Sequence, residues 1–201
     1  MVRINRKQLD FEIASQAKTV KQVAEKYARD VMFNPAVSQL MQEFDEDPVT
    51  LEIDDGPDSF PYSSAVSAGN LFSFIGFSQG SRPTDQIRSA LNPRSPFGPK
   101  LRYLKTNVRG FSYEFRVTAP DLDAIYARTP IPWAEGLSWA ERIEKGISGL
   151  GSFLNKKGLR NSRSGGGIQV KKNLRSAKFR PQPYLRSIFN NFLSKFGNTK
   201  I

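Results

Sequence analysis

The charge of this chain is divided along its length, and that division limits how the chain can fold. Glu144 is the last acidic residue, so residues 145–201 carry 13 Lys and Arg side chains and no carboxylate. Residues 1–144 carry 17 basic and 19 acidic side chains. The basic C-terminal segment can therefore be neutralised only by acids from earlier in the chain, by a partner, or by counterions.

The opposite bias lies between Asp30 and Arg82, where no basic residue occurs and eight acids fall from Glu43 to Asp58. Three interpretations are open: the basic segment binds nucleic-acid phosphates, copies of the chain associate acidic face to basic face, or the basic segment is a solvated tail. The candidate basic residues are Arg160, Arg163, Lys171, Lys172, Arg175, Lys178 and Arg180, and the candidate acidic counter-surface is Glu43, Asp45, Glu46, Asp47, Asp54, Asp55 and Asp58.

The absence of cysteine and histidine excludes several kinds of chemistry. Disulfides, thiol catalysis, Cys/His zinc sites and histidine acid–base catalysis all require residues that this chain lacks. The 201 residues are enough to bury a core, and we predict a single domain over 1–201. No apolar run has the length of a membrane span, and the first ten residues lack the apolar core of a signal peptide, so we expect a soluble protein made in a cytoplasm, with no membrane partner.

Apolar periodicity predicts a long amphipathic helix over residues 10–32, with a stripe that faces either the core or a partner. Asn34 and Pro35 are typical of a new helix start, and "DEDP" is expected to end that second helix. Further helices are predicted at 83–91, at 120–126, from Ser138 to Gly146 behind a capping box, and after Pro183. The long-helix stripe is Ile13, Ala17, Val20, Ala24, Tyr27 and Val31, and the C-terminal stripe is Leu185, Ile188, Phe189, Phe192, Leu193 and Phe196.

Alternation and turn residues predict the strands. "VTLEID", "GNLFSFIGF" and "IQVKK" are predicted strands, and "LRYLKTNVR" and "FSYEFRVT" are predicted to form a hairpin around Gly110. Three prolines and a glycine make residues 92–100 a loop. The predicted fold class is therefore α+β: a long N-terminal helix and a C-terminal helix packed on a small antiparallel sheet, with extended loops or arms.

The motif search finds no catalytic or cofactor site. The glycine-rich stretches lack the Gly-Lys-Ser/Thr ending of a phosphate-binding loop, and "IDDGPD" lacks the spacing of a calcium loop. Adjacent acids in such loops are typical turn formers. We therefore predict no enzyme, no cofactor and no metal. The strand aromatics could stack on bases, although an alternating row of rings is more typical of a buried sheet face.

Three stretches indicate a family. "TPIPWAEGLSWAERIEKGISGLGSFL", followed by "SRSGGGIQV" and "FRPQPYLRSIFNNFL", resembles the C-terminal half of tail-completion and head-to-tail joining proteins of long-tailed bacteriophages. "GNLFSFIGFSQGSRPTDQIRSALN" is similar to stretches of phage virion structural proteins. The family-like motif residues are Glu144, Gly146, Pro183, Tyr184 and Leu185, whereas residues 78–110 form a longer middle section than compact members of that family have.

The resemblance implies a structural virion protein of the phage neck. Such a protein would form a homo-oligomeric ring that joins head to tail, as a tail-completion or tail-terminator subunit. Its expected partners are further copies of itself, the portal or connector protein, the tail tube or tail terminator protein, and the DNA in the channel. We expect a flexible basic arm at 155–180 that bends at Gly165, Gly166 and Gly167 and orders on assembly. The alternative is a nucleic-acid-binding protein without catalysis that uses the basic C-terminal segment on phosphates.

Overall fold

The fold is that of a computed structural model, which describes residues 6–67, 69–107, 112–132, 134–146 and 179–197. Helices and two small antiparallel sheets make up these residues, so the predicted α+β class is confirmed. The elements are α1 (Arg6–Tyr27), a π-helical stretch (Ala28–Phe33), α2 (Asn34–Asp45), α3 (Pro48–Asp54), a 3₁₀ turn (Gly56–Asp58), α4 (Leu71–Ile75), α5 (Asp85–Leu91), β1 (Lys100–Asn107), β2 (Ser112–Thr118), α6 (Leu122–Ala127), β3 (Pro130–Ile131), β4 (Ala134–Ser138), α7 (Trp139–Lys145) and α8 (Leu185–Ser194).

The N-terminal helix is longer than predicted, because it runs without a break from α1 through the π-helical stretch into α2. Pro35 was expected to start a new helix, since an interior proline clashes with the carbonyl four residues earlier. The turn before it is π-helical instead, and the Asn34 N–H donates to the Arg29 carbonyl five residues back. A wider turn accommodates the proline ring. The result is one continuous helix over Arg6–Asp45, called the rod below, with about 60 Å of helix at the usual rise.

The core forms where α2 meets α8. Ala36, Val37, Leu40 and Phe44 make the buried face of α2, and the predicted apolar stripe of the C-terminal helix is confirmed as its buried face. The C-terminal helix, α8, packs mainly against α2, and its C-terminal end lies beside the hairpin across an open groove. The buried residues of the two helices belong to one continuous cluster.

Two predicted strands are helices. "VTLEID" lies within α3, where Asp47 caps the first turn by accepting a hydrogen bond from the Val49 N–H at 2.9 Å. "GNLFSFIGF" contains α4, where the Asn70 side chain caps the Ser73 N–H and Gly76 ends the helix in a left-handed conformation. Short apolar runs fit either structure by periodicity, and here the caps decide.

The predicted pairing of the hairpin strands is confirmed: β1 and β2 pair antiparallel, with a bulge at Tyr103/Lys105, while the turn around Gly110 lies outside the described residues. Tyr113, Phe115 and Val117 are half-buried on the face turned towards the helices, while Glu114 and Arg116 are exposed. The predicted helix after Pro120 is α6, and the predicted start behind Ser138 is α7, where the Ser138 Oγ accepts a hydrogen bond from the Glu141 N–H. The predicted strand "IQVKK" and Phe111 lie outside the described residues.

Candidate assembly surface

The outer side of the N-terminal rod is an exposed apolar stripe. Val20, Val23, Tyr27 and Val31 recur at spacings of three and four residues, and Val23 is 63% and Tyr27 58% exposed. The core-facing interpretation of this predicted stripe is therefore wrong for Val20, Tyr27 and Val31, and the partner-facing one stays a prediction. Among the other predicted members, Ala17 is exposed, Ala24 is half-buried, and the side chain of Ile13 lies outside what the structure describes.

A neighbouring side of the rod contacts the hairpin. The Lys21 ammonium lies 4.1 Å from the centroid of the Tyr103 ring, in cation–π geometry. One turn further on, Ala24 is half-buried, and Ala28 is buried. The hairpin and the core cover this neighbouring side, while the residues of the apolar stripe stay 44–63% exposed within the described part of the chain. Large contiguous apolar patches on protein surfaces are a feature of interaction sites, so this stripe is the candidate surface.

The family-like motif residues come together where α7 meets α8. Glu144 accepts a hydrogen bond from the Arg186 N–H in the first turn of α8 and another from the Tyr126 hydroxyl, each 2.7 Å long. The carboxylate therefore compensates the unpaired donors and the positive dipole at the start of α8. Burial, and then the hydrogen bond to Glu144, raise the pKa of Tyr126.

The other residues of that motif lie at the same contact between α7 and α8. Tyr184 is fully buried, and its hydroxyl pairs with the Thr50 hydroxyl at 2.8 Å. Leu185 is buried beside it, Pro183 is exposed, and a Cβ at Gly146 would lie 3.5 Å from the ring of Pro181. The motif thus stabilises the return of the chain into the core and leaves only Pro183 at the surface.

Most acids of the predicted counter-surface have partners within the chain. Arg88 bridges Asp45, at 2.7 Å, and Asp54. Glu43 pairs with Lys195 at 3.2 Å, and Glu46 accepts a hydrogen bond from the Gln42 amide. The remaining acids are Asp47, which caps α3, Asp55, which interacts with the Tyr62 hydroxyl, and the exposed Asp58. The surface left for a partner is therefore smaller than the composition indicates.

Of the predicted basic arm, only the end is described. Phe179 forms an antiparallel bridge with Val66 and stacks on Phe74 at 5.7 Å between ring centroids. The Arg180 N–H donates to the Ala65 carbonyl at 2.8 Å, and its side chain is exposed. The arm therefore leads into a firmly bound segment. Outside the described residues lie Arg160, Arg163, Lys171, Lys172, Arg175 and Lys178, together with Gly165, Gly166 and Gly167.

Sequence reasoning missed an exposed aromatic pair on the loop after the 3₁₀ turn. Phe60 is 68% exposed, and its ring lies 5.4 Å from that of Tyr62. The same loop is bound to a buried carboxylate, since Glu52 accepts hydrogen bonds from the Ser63 N–H and hydroxyl. The signal in the sequence was "SFPYSS", in which two rings flank a proline between polar residues, a composition typical of a loop.

The comparisons with known proteins identify no relative. No protein-family model matches the chain, and no curated protein or solved structure shows significant similarity to it. Across the described ranges, no helix is both long enough and apolar enough to cross a bilayer, and no cluster of three or more acidic side chains is arranged for a metal ion.

Asp47→Asn is expected to keep the helix cap while removing a desolvated charge. Burial raises the pKa of Asp47 above its ordinary 3.8, so the folded protein holds this proton more tightly than the unfolded chain does. The ionised group therefore reduces stability as pH rises above about 4. Between about pH 4 and 7, urea unfolding should give Asp47→Asn a higher free energy of unfolding than the wild type, by no more than about 1 kcal/mol. Asp47→Ala should lower the free energy of unfolding by about 1 kcal/mol, because it removes the cap. A loss in Asp47→Asn that grows with pH would contradict this.

Proposed function

We propose that this protein is a non-enzymatic structural subunit of the bacteriophage neck, which forms a ring that joins head to tail. One observation carries the assembly part of this proposal: the exposed apolar stripe of Val20, Val23, Tyr27 and Val31 on a long rod. Such a stripe is costly on an isolated soluble chain and useful on a subunit that covers it with a neighbour. The phage assignment comes from the resemblance of the C-terminal stretches to neck proteins.

The rod suits this function mechanically. One side of α1 contacts the hairpin through Lys21 and Tyr103, and α1 continues into α2 of the core, so the direction of the helix is set before a partner arrives. A pre-positioned helix loses little conformational freedom on binding, and more of the apolar contact is then available as affinity. Glu144 holds the start of α8 in a similar way, so the family-like motif contributes rigidity to a subunit that must sustain force between head and tail.

Val20→Asp combined with Val23→Asp is expected to weaken self-association at least about 30-fold, because both apolar side chains are lost from a buried contact. Light scattering over a concentration series at moderate salt measures the mass of the wild type and of the variant. At concentrations where both proteins are monomeric, the melting temperature should not fall, since Val20 and Val23 are exposed in the single chain. Ser15→Asp with Gln22→Asp, on the opposite and exposed side of α1, is the matched control.

The same experiment with short duplex DNA tests the alternative, a nucleic-acid-binding protein that uses the basic C-terminal segment. A ring, or a monomer that assembles only with a portal or tail partner and ignores DNA, supports the neck proposal. A monomer that binds DNA tightly, with an affinity that falls steeply with log salt, overturns it in favour of the alternative. Assembly through apolar side chains should persist as salt rises.

A further inference from the structure

An open groove lies between the rod, the hairpin and the C-terminal end of α8. Its volume is about 820 Å³, and its lining is largely apolar, with Met32, Leu104, Phe115, Val117 and Phe196 among its residues. Met32 and Leu104 are 46% and 45% exposed, so the groove presents large side chains to solvent. A concave apolar site of this size holds one or two aromatic side chains.

Arg116 at the edge of this groove and its cross-strand neighbour Arg102 have no ion-pair partner among the described acids. Arg102 lies directly opposite Arg116 across the β1–β2 ladder, and Arg116 also lines the groove. Like charges at directly opposed positions destabilise a hairpin. Both side chains are exposed, and no described acid lies within ion-pair distance of either, although Lys105 one step along pairs with Glu114. The groove therefore combines an apolar floor with a positive edge.

The surface with the complementary properties is the loop around Phe60 and Tyr62. It presents two exposed rings, and the exposed Asp58 and Asp55 precede them. Several hydrogen bonds fix the loop: Asn70 donates to the Ser59 carbonyl at 3.1 Å, and Glu52 accepts from Ser63 on the other side. Rigid aromatic side chains next to charge are typical anchors of protein interfaces.

We infer that the Phe60–Tyr62 loop of one copy docks into the groove of a second copy, with Asp58 facing the Arg102 and Arg116 pair. This inference depends on the proposed ring, because it names a contact between subunits. The loop adjoins the N-terminal end of α8, near Gln182 and Ser187, whereas the groove adjoins its C-terminal end, near Leu193 and Phe196. The two ends of α8 are about 15 Å apart. Docking therefore joins two different patches, and such a heterologous contact closes into a ring when the rotation allows.

Disulfide trapping tests the contact directly, because the chain contains no cysteine of its own. Phe60→Cys protein mixed with Leu104→Cys protein should give a cross-linked dimer under mild oxidation, at least about tenfold faster than either variant alone. Phe11→Cys is the matched control, since Phe11 is also highly exposed but lies in neither patch. Cross-linking of the Phe11→Cys and Leu104→Cys mixture at the same rate would overturn the inference.

Charge reversal gives a second, independent measurement. Asp58→Lys and Arg116→Glu should each weaken self-association about tenfold, and the double variant should recover most of it, because each contact then holds a reversed pair. Asp123→Lys, on the exposed side of α6, is the control.

If Val20→Asp with Val23→Asp abolishes assembly while these reversals do not change it, the ring proposal stands and this inference fails. If Arg116→Glu weakens DNA binding and leaves self-association unchanged, the arginine pair serves nucleic acid, and the inference is overturned.

Discussion

Trp139→Ala is expected to lower the free energy of unfolding by about 3–5 kcal/mol, because it removes one of the largest buried side chains of the core. Trp139 is 1% exposed and forms an edge-to-face contact with Phe77, with 5.6 Å between ring centroids. Its ring also lies 6.4 Å from that of Tyr184. The indole thus joins α7, the loop after α4 and the start of α8, so the cavity would lie where three segments meet.

Urea unfolding followed by circular dichroism measures this loss, and Trp133 remains as a fluorescence probe in the variant. Trp139→Phe should cost less than Trp139→Ala, since it keeps most of the apolar contact. Phe11→Ala is the surface control, and it should change the free energy by less than about 0.5 kcal/mol because Phe11 is 72% exposed. A loss of under 1 kcal/mol for Trp139→Ala would show that this indole does not join the three segments.

Glu52→Gln is expected to cost about 2–4 kcal/mol although it preserves the shape of the side chain. Glu52 is fully buried, and its two oxygens accept hydrogen bonds from the Leu71 N–H at 2.6 Å and from the Ser63 N–H and hydroxyl. In the glutamine variant, an NH₂ donor replaces one of the two acceptor oxygens, so at least one N–H loses its partner. The remaining hydrogen bonds become weaker, because their acceptor no longer carries a charge. The loop that presents Phe60 and Tyr62 should loosen with it.

Two measurements separate this effect from a general loss of charge. Glu43→Gln removes a carboxylate that is partly exposed beside Lys195, and it should cost no more than about 1 kcal/mol. Hydrogen exchange should show faster exchange at Ser63 and Leu71 in Glu52→Gln, with little change in α8. Equal losses from Glu52→Gln and Glu43→Gln would contradict the assignment of Glu52 as the support of this loop.

Local chemistry made part of the fold predictable. Ser138 with Glu141, the proline-rich loop at 92–100 and the alternation of "FSYEFRV" each have one favoured local structure, and all three were predicted correctly. The runs "VTLEID" and "GNLFSFIGF" have no such preference, because short apolar stretches suit a strand or a helix equally. The caps Asp47 and Asn70 distinguish them, and their effect depends on how the chain enters each turn.

The candidate surface was predictable only in outline. The apolar period of the rod predicted a stripe, but not whether that stripe faces the core or a partner. In the structure, Lys21 contacts the hairpin and Ala28 is buried, so a neighbouring side of the rod faces the rest of the chain. The groove and the opposed arginines depend on the pairing of β1 with β2 and on the position of α8, which join residues far apart in the chain.

The sequence by itself determined the α+β class, the long N-terminal helix, the hairpin, the apolar face of the C-terminal helix and the separation of charge. These depend on interactions between residues close together in the chain, which periodicity and capping residues report. Only the tertiary structure decided which apolar residues are covered and which acids have partners. Arg88 forms ion pairs with Asp45 and Asp54, so these acids are not free for a partner. Glu144 binds the first turn of α8, although the two are far apart in the sequence. Burial and ion pairing are set by what packs opposite a residue, and that is a property of the whole fold.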